Sequence, residues 1–137
     1  MSKAEVFGPD TYDSCVKRVK KLTGVLLIFH PGCGHCVQMR PEWEAMKRKL
    51  SPKVNVMEID GSEMAEHDSL KSNLPEIQGF PMLFLMKNGR RIDEFKGQRT
   101  ADEMQHFTEN GLGIKNIVKK TKTKRKKTRR KTQKKRR

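Results

Sequence analysis

The chain has 137 residues and carries 31 Lys and Arg against 16 Asp and Glu, a formal net charge of +15. That length allows one domain with a modest core. No apolar run approaches the roughly 20 residues of a membrane-spanning helix, and no N-terminal segment has the basic-then-apolar pattern of a secretion signal, so a helical span is excluded and cytoplasmic residence is expected.

The charge is unevenly placed. Residues 115–137 hold 15 of the Lys and Arg and no acid, while the other 16 basic residues balance all 16 acids before them. The composition therefore predicts a folded domain over residues 1–114 and a self-repelling, disordered tail over residues 115–137.

In chain order, Val6-Phe7 predicts a short first strand. Tyr12, Cys15, Val19 and Leu22 recur at three to four, which predicts an amphipathic helix with Asp10 as its N-cap. Cys15 falls on the inner face, where a thiol behaves as a small core residue. Gly24 to Phe29 is a continuous apolar run bounded by Gly24 and Pro31, the pattern of a parallel strand buried on both faces.

A second helix follows, with Cys36, Met39, Trp43, Met46 and Leu50 on one face. Pro41 inside it removes a backbone donor and predicts a bend. Val54 to Ile59 is the next strand, and Asp60 to Ser62 opens a polar helical stretch ended by Pro75. Met82–Met86 and Arg91–Phe95 flank Asn88-Gly89, a strong hairpin signal. Thr100 and Glu103 predict a capping box for a last helix, with Met104 and Phe107 inward and Gly111 or Gly113 at its end. The order of elements predicts an α/β domain with a central mixed sheet flanked by helices.

The chemistry concentrates at Cys33-Gly34-His35-Cys36, where the buried strand hands over to the second helix. Unpaired N–H groups and the positive end of the helix dipole favour an anion there, and the available anion is the Cys33 thiolate. Cys33 is thus the expected nucleophile, and Cys36, one turn on, is placed to resolve a mixed disulfide. His35 lies within reach of both sulfurs. Half a zinc site is the alternative, but its closure needs two more ligands, and Cys15, His30, His67 and His106 show no paired metal spacing, so no metal or other cofactor is expected.

This tetrapeptide resembles the active site of the protein disulfide isomerase branch of the thioredoxin-like family. The likeness extends to Pro41, to Gly79-Phe80-Pro81 and to the closing hairpin followed by Phe95-Lys96-Gly97-Gln98-Arg99-Thr100, over roughly Val6 to Leu112. It implies the thioredoxin fold and a redox-active disulfide between Cys33 and Cys36. In the family the proline matching Pro81 is cis and faces the dithiol, leaving backbone groups free to pair with an extended substrate and keeping metal off the sulfurs. Gly32, Gly34, Phe80 and Pro81 are accordingly expected to meet substrate. Arg99 matches an arginine that eases ionisation of the second cysteine. With His35 stabilising the thiolate, the tetrapeptide implies an oxidising poise, the thioredoxin and isomerase reference potentials differing by ~90 mV, roughly 4 kcal/mol for two electrons.

Three positions depart from the family pattern. Gly32 replaces a tryptophan that gives substrate an apolar platform, Met82 follows the proline where threonine is common, and Leu27 replaces the buried acid that accepts a proton from the second cysteine. By alignment, Glu58 stands where the family has a lysine partnering that acid. If Glu58 points into the core behind Cys36 without a cation, burial raises its pKa toward neutrality and makes it a relocated proton acceptor; the other reading turns it toward solvent or a surface lysine.

Within the tail, Lys124, Arg125, Lys126, Lys127, Arg129, Arg130 and Lys131 suit polyphosphate binding by counterion release without reading base sequence, and they also resemble a nuclear localisation signal. The expected partners are protein thiols and disulfides, a thiol oxidase or reductase, and non-specific nucleic acid. A reducing cytosol would hold an oxidising dithiol reduced unless an oxidase recharges it, a situation that fits, by analogy, a large DNA virus assembling disulfide-bonded virions, with nuclear or virion association as the alternatives to cytoplasm. The competing class is a non-catalytic adaptor that binds peptide through the fold and nucleic acid through the tail.

Overall fold

The computed structural model describes residues 4–114. The basic segment 115–137, and with it the expectation of disorder and every tail residue named above, lies outside the described residues.

Five strands form one sheet in the order β1-β3-β2-β4-β5. They are β1 (Ala4–Phe7), β2 (Gly24–Phe29), β3 (Asn55–Asp60), β4 (Met82–Lys87) and β5 (Arg90–Glu94). β1, β3 and β2 run parallel, while β4 is antiparallel to β2 and β5. The helices are α1 (Tyr12–Val19), α2 (Gly34–Lys49), α3 (Asp68–Ser72) and α4 (Ala101–Gly111). This is the thioredoxin fold.

Strand alternation divides the core into two layers. Leu26, Ile28, Met57, Ile59, Phe84 and Met86 pack with Tyr12, Cys15 and Val19 of α1 and Leu70 of α3. Val25, Leu27, Val56 and Leu83 pack on the other face with Met39, Trp43 and Met46 of α2 and Met104 of α4. β2 is central and apolar on both faces, and it carries the chain directly to Cys33. Each fully buried side chain of this size contributes about 1.5–3 kcal/mol relative to exposure. β5, at the sheet edge, exposes Arg90, Arg91 and Asp93, charges that discourage edge-to-edge pairing.

The Asn88-Gly89 turn joins Lys87 to Arg90 as a two-residue hairpin with both central residues at positive φ, 53° and 81°. Gly89 also admits the backbone of the α1–β2 loop, since a Cβ there would sit 2.3 Å from the Lys20 carbonyl oxygen. At the far end, Gly113 at φ 72° closes α4: its N–H donates to Asn110 O and that of Ile114 to Glu109 O. In this paired Schellman arrangement α4 has Gly111 as its last residue and Leu112 as its C-cap, and Gly113 is the left-handed residue that stops it.

Several local expectations are corrected. Asp10 does not cap α1; Pro9–Thr11 form a 3-10 turn, and the Thr11 hydroxyl accepts from the Gly8 N–H at 3.0 Å. The polar stretch after β3 forms a 3-10 turn over Met64–Glu66 and then α3, which stops at Ser72, with Pro75 in the loop beyond. β3 and β5 are each displaced by one residue from their expected bounds. Half of the capping box forms, with Thr100 Oγ1 accepting from Glu103 N at 3.2 Å, while the Thr100 N–H donates to Gln98 O. Phe107 is half-buried, edge-on to Phe95 at 5.2 Å. As its apolar face predicts, α2 extends from Gly34 to Lys49 with Pro41 inside it.

Candidate active site

Beyond Phe29 the chain turns sharply before α2. The His30 carbonyl accepts from Cys33 N at 3.0 Å, and His30 Nδ1 accepts from Gly32 N at 3.0 Å. Cys33 is the N-cap of α2, and its Sγ accepts from the Cys36 N–H at 3.4 Å. The sulfur thus occupies the place that a capping oxygen fills elsewhere, at the end of the helix that favours negative charge.

The two sulfurs are unequal. Cys33 is partly exposed, and its pKa is held below the ordinary thiol value by the Cys36 side chain, by the Cys36 and His35 backbone N–H groups and by the charge of Arg99, against some loss of solvation. Cys36 is buried, and burial is the chief cause that pushes its pKa up; the neighbouring Cys33 adds to this, while the His30 backbone and the charge of Arg40 oppose it. Cys33 is therefore the thiol that ionises first, and Cys36 is the one held protonated behind it. Cys15 is fully buried in the opposite layer, where loss of solvation raises its thiol to about 12.

Across from the dithiol, the Phe80–Pro81 bond is cis, and the Cys33 thiol donates to the Phe80 carbonyl at 3.5 Å. The His30 and Phe80 rings meet edge-on at 5.4 Å. Phe80 is also one wall of a groove of about 680 Å³ running past Met64, Leu74, Pro75 and Ile77. Gly32 and Gly34 are exposed, and a Cβ at Gly34 would meet nothing within 4 Å. Cys33, Gly32, Gly34, Phe80 and Pro81 thus share one surface. The His35 side chain is exposed, and what His35 offers the Cys33 sulfur is its backbone N–H. Arg99 lies in the loop before α4, and its charge helps to lower the Cys33 pKa.

Glu58 requires a correction. It is buried, 3% exposed, on the same sheet face as Leu27, but it is not a carboxyl without a cation. Its Oε1 accepts from Arg40 Nη1 at 2.9 Å, and its Oε2 accepts from Lys47 Nζ at 2.6 Å and from Trp43 Nε1 at 2.9 Å. Burial alone would push its pKa up. The hydrogen bonds from Lys47, Trp43 and Arg40 outweigh burial and hold it below the usual carboxyl value. A carboxylate so held is a poor proton acceptor at neutral pH, so the relocated-base reading fails.

Sequence reasoning missed Arg40, Lys47 and His30 as parts of this site. Arg40 follows Cys36 by four positions, a spacing that puts both on one helical face, but the apolar periodicity of α2 passes over charged positions. His30 lies outside both cysteine positions and the apolar pattern of β2, so no local motif marks it. Among the described residues no group of three or more His, Cys, Asp and Glu could hold a metal ion.

Residues 3–110 match the family pattern described as thioredoxin. Protein disulfide-isomerase of Zea mays is 31% identical over 108 residues, covering 76% of this chain and 20% of that protein. Protein disulfide isomerase-like 1-1 of Arabidopsis thaliana is 35% identical over 93 residues, 65% of this chain and 18% of that one. The thioredoxin domain-containing protein 5 homolog of Drosophila melanogaster is 27% identical over 116 residues, 82% of this chain and 27% of that one. Among solved structures, the first thioredoxin domain of mouse protein disulfide-isomerase A4 superposes with a TM-score of 0.58 at 26% identity, covering 82% of this chain and 80% of that one. The chain spans little more than a quarter, at most, of the length of the three curated relatives. With the fold, the dithiol at the start of α2 and the facing proline all in place, the chain belongs to the thioredoxin family, as a domain of the protein disulfide isomerase type.

Proposed function

We propose that the chain catalyses thiol–disulfide exchange on protein substrates through Cys33 and Cys36. The observation that carries this reading is the asymmetry of the pair, an accessible sulfur at the N-cap of α2 favoured as thiolate and a buried thiol one turn behind it. The Cys33 thiolate attacks one sulfur of a substrate disulfide, which breaks, and the other substrate sulfur leaves with the electron pair and takes up a proton. Cys36 then loses its proton and attacks Cys33 Sγ; the Cys33–Cys36 disulfide forms and the second substrate thiol is released. The two electrons end on the substrate sulfurs. The reverse sequence oxidises a substrate dithiol, and the lowered Cys33 pKa, which stabilises the reduced form, favours that direction, or reshuffling, over net reduction. A thiol oxidase or reductase would reset the pair.

The basic residues between Lys124 and Lys131 support a second element of the proposal, an electrostatic tether to an anionic partner, nucleic acid first. The alternative is an adaptor without catalysis, which binds peptide through the same surface. Cys33→Ser is expected to abolish insulin disulfide exchange, Cys36→Ser to trap a covalent substrate adduct on Cys33, and alkylation of the reduced parent at mildly acidic pH to label Cys33 before Cys36 and Cys15. Peptide binding with no exchange and equal labelling of Cys33 and Cys36 would identify an adaptor.

A further inference from the structure

The strand position where the family pattern places a buried acid holds Leu27, and the carboxylate beside it, Glu58, pairs with a cation of α2, Arg40. Cys36 and Arg40 are one turn apart on α2 and so lie on the same helical face. Arg40 is restrained from three sides. Its Nη1 is 2.9 Å from Glu58 Oε1 and 3.3 Å from Glu44 Oε2, and its guanidinium carbon lies 5.0 Å from the centroid of the Phe29 ring at the end of β2. Glu58 cannot swing away, because its second oxygen is fixed by Trp43 and Lys47.

Just beyond β2 the His30 backbone lowers the Cys36 pKa, and on α2 the charge of Arg40 lowers it while Cys33 raises it. Leu27, the register partner of Glu58, brings no charge, and Arg99 from the loop before α4 acts on Cys33. The carboxylate itself is balanced by Lys47, which also meets Glu44 at 3.1 Å.

We propose that Arg40, positioned by Glu58, is the cation that stabilises the Cys36 thiolate each time that sulfur attacks Cys33 or leaves it. The proposal rests on the exchange reaction above and assigns the part of it that Leu27 leaves open. In substrate reduction the Cys36 proton goes to solvent before the sulfur attacks. In substrate oxidation the Cys36 sulfur departs as the anion with the electron pair of the Cys33–Cys36 bond. Both directions pass through a negative Cys36, and one fixed positive charge favours both. The lowering effect of Arg40 on the Cys36 pKa agrees with this placement. Glu58 is then a positioning residue, and its own proton is not transferred.

The test uses the full chain and an aromatic disulfide whose thiolate product is coloured. Stopped-flow mixing separates a first release, set by Cys33, from a second, set by Cys36. For Arg40→Gln the second release is expected to slow about tenfold at neutral pH and to recover as pH rises, while the first release keeps the parent profile. Arg40→Lys restores the charge and is expected to stay within about twofold of the parent. Arg40→Gln resolving at the parent rate over about pH 6 to 9 overturns the proposal. So does an Arg40→Lys protein as slow as Arg40→Gln, since packing on Phe29 would then be the cause. Should Arg40→Gln not fold, Arg40→Lys decides alone, a tenfold loss overturning the proposal. A parent that performs neither release overturns the proposed function as well, so the two failures are distinguishable.

Discussion

Leu27 and Glu58 are paired in register across β2 and β3, one apolar and one ionised, side by side on the face that α2 covers. The strand nearer the dithiol carries no acid, and its neighbour carries a carboxylate neutralised by two cations from the covering helix. The charged cluster at the centre of the domain is therefore built between β3 and α2, and β2 takes no part in it. The member of this cluster that lowers the Cys36 pKa is Arg40.

Glu58→Gln is expected to destabilise the fold, contrary to the gain that removal of a lone buried charge would bring. The change leaves the Arg40 and Lys47 charges short of their partner. Breaking a buried pair in this way costs about 3–5 kcal/mol, and because Arg40 is 35% and Lys47 15% exposed, both can reach water and the expected loss is about 2 kcal/mol. The Glu58 pKa is lower in the folded chain than the usual 4.5. Its contribution is therefore complete above that value and drains away as pH falls through the lower folded-state pKa. Denaturant midpoints of parent and variant should differ at neutral pH and converge under acid; a gap that stays constant as pH falls through that range would refute this account.

What could be read without coordinates followed local patterning. β2 was visible as an unbroken apolar run, α2 as a face of Cys36, Met39, Trp43, Met46 and Leu50, and the hairpin as Asn88-Gly89. α3 was blurred because one apolar residue, Leu70, anchors five residues, and its start depends on His67 Nδ1 accepting from Leu70 N, a cap outside the favoured set. The partners of Glu58 stood 18, 15 and 11 positions away on another element. No local period encodes such a pairing, and the alignment that marked Glu58 as unusual carried no information on which cations had moved to meet it.

Removal of residues 115–137 is expected to abolish retention of the protein on DNA or RNA at low salt while leaving insulin disulfide exchange at the parental rate. The 15 basic residues of that segment carry the whole net charge, and the preceding residues are electrically balanced. Binding by the full chain should weaken linearly on a log–log plot against salt, with a slope of several units, since each neutralised phosphate contributes about 0.9. Undiminished binding by the shortened protein would place the anion site on the folded domain instead.

Gly32→Trp tests whether the missing aromatic platform limits substrate capture. Gly32 is exposed, its backbone is outside the left-handed region, and its local bond is an N–H donated to His30 Nδ1, which any residue but proline preserves. A Cβ there meets the His30 ring at 3.4 and 3.5 Å, close to ordinary contact, so the substitution should fold with nearly parental stability. The indole would extend the apolar surface already formed by His30 and Phe80 beside Cys33. If half the indole, about 100 Å², is covered by an unfolded substrate, burial contributes about 2.5 kcal/mol, and ordering of the indole and the substrate leaves about 1 kcal/mol net, or about fivefold in KM. Because that contact is equal in the ground and transition states, kcat should not move, and neither should the rate with a small disulfide too short to reach the ring. Insulin KM and the small-disulfide rate, measured side by side, separate the alternatives. A parallel change in both would show that residue 32 tunes the Cys33 sulfur itself, and an unchanged KM would mean that substrate approaches from the Phe80 groove without crossing this surface.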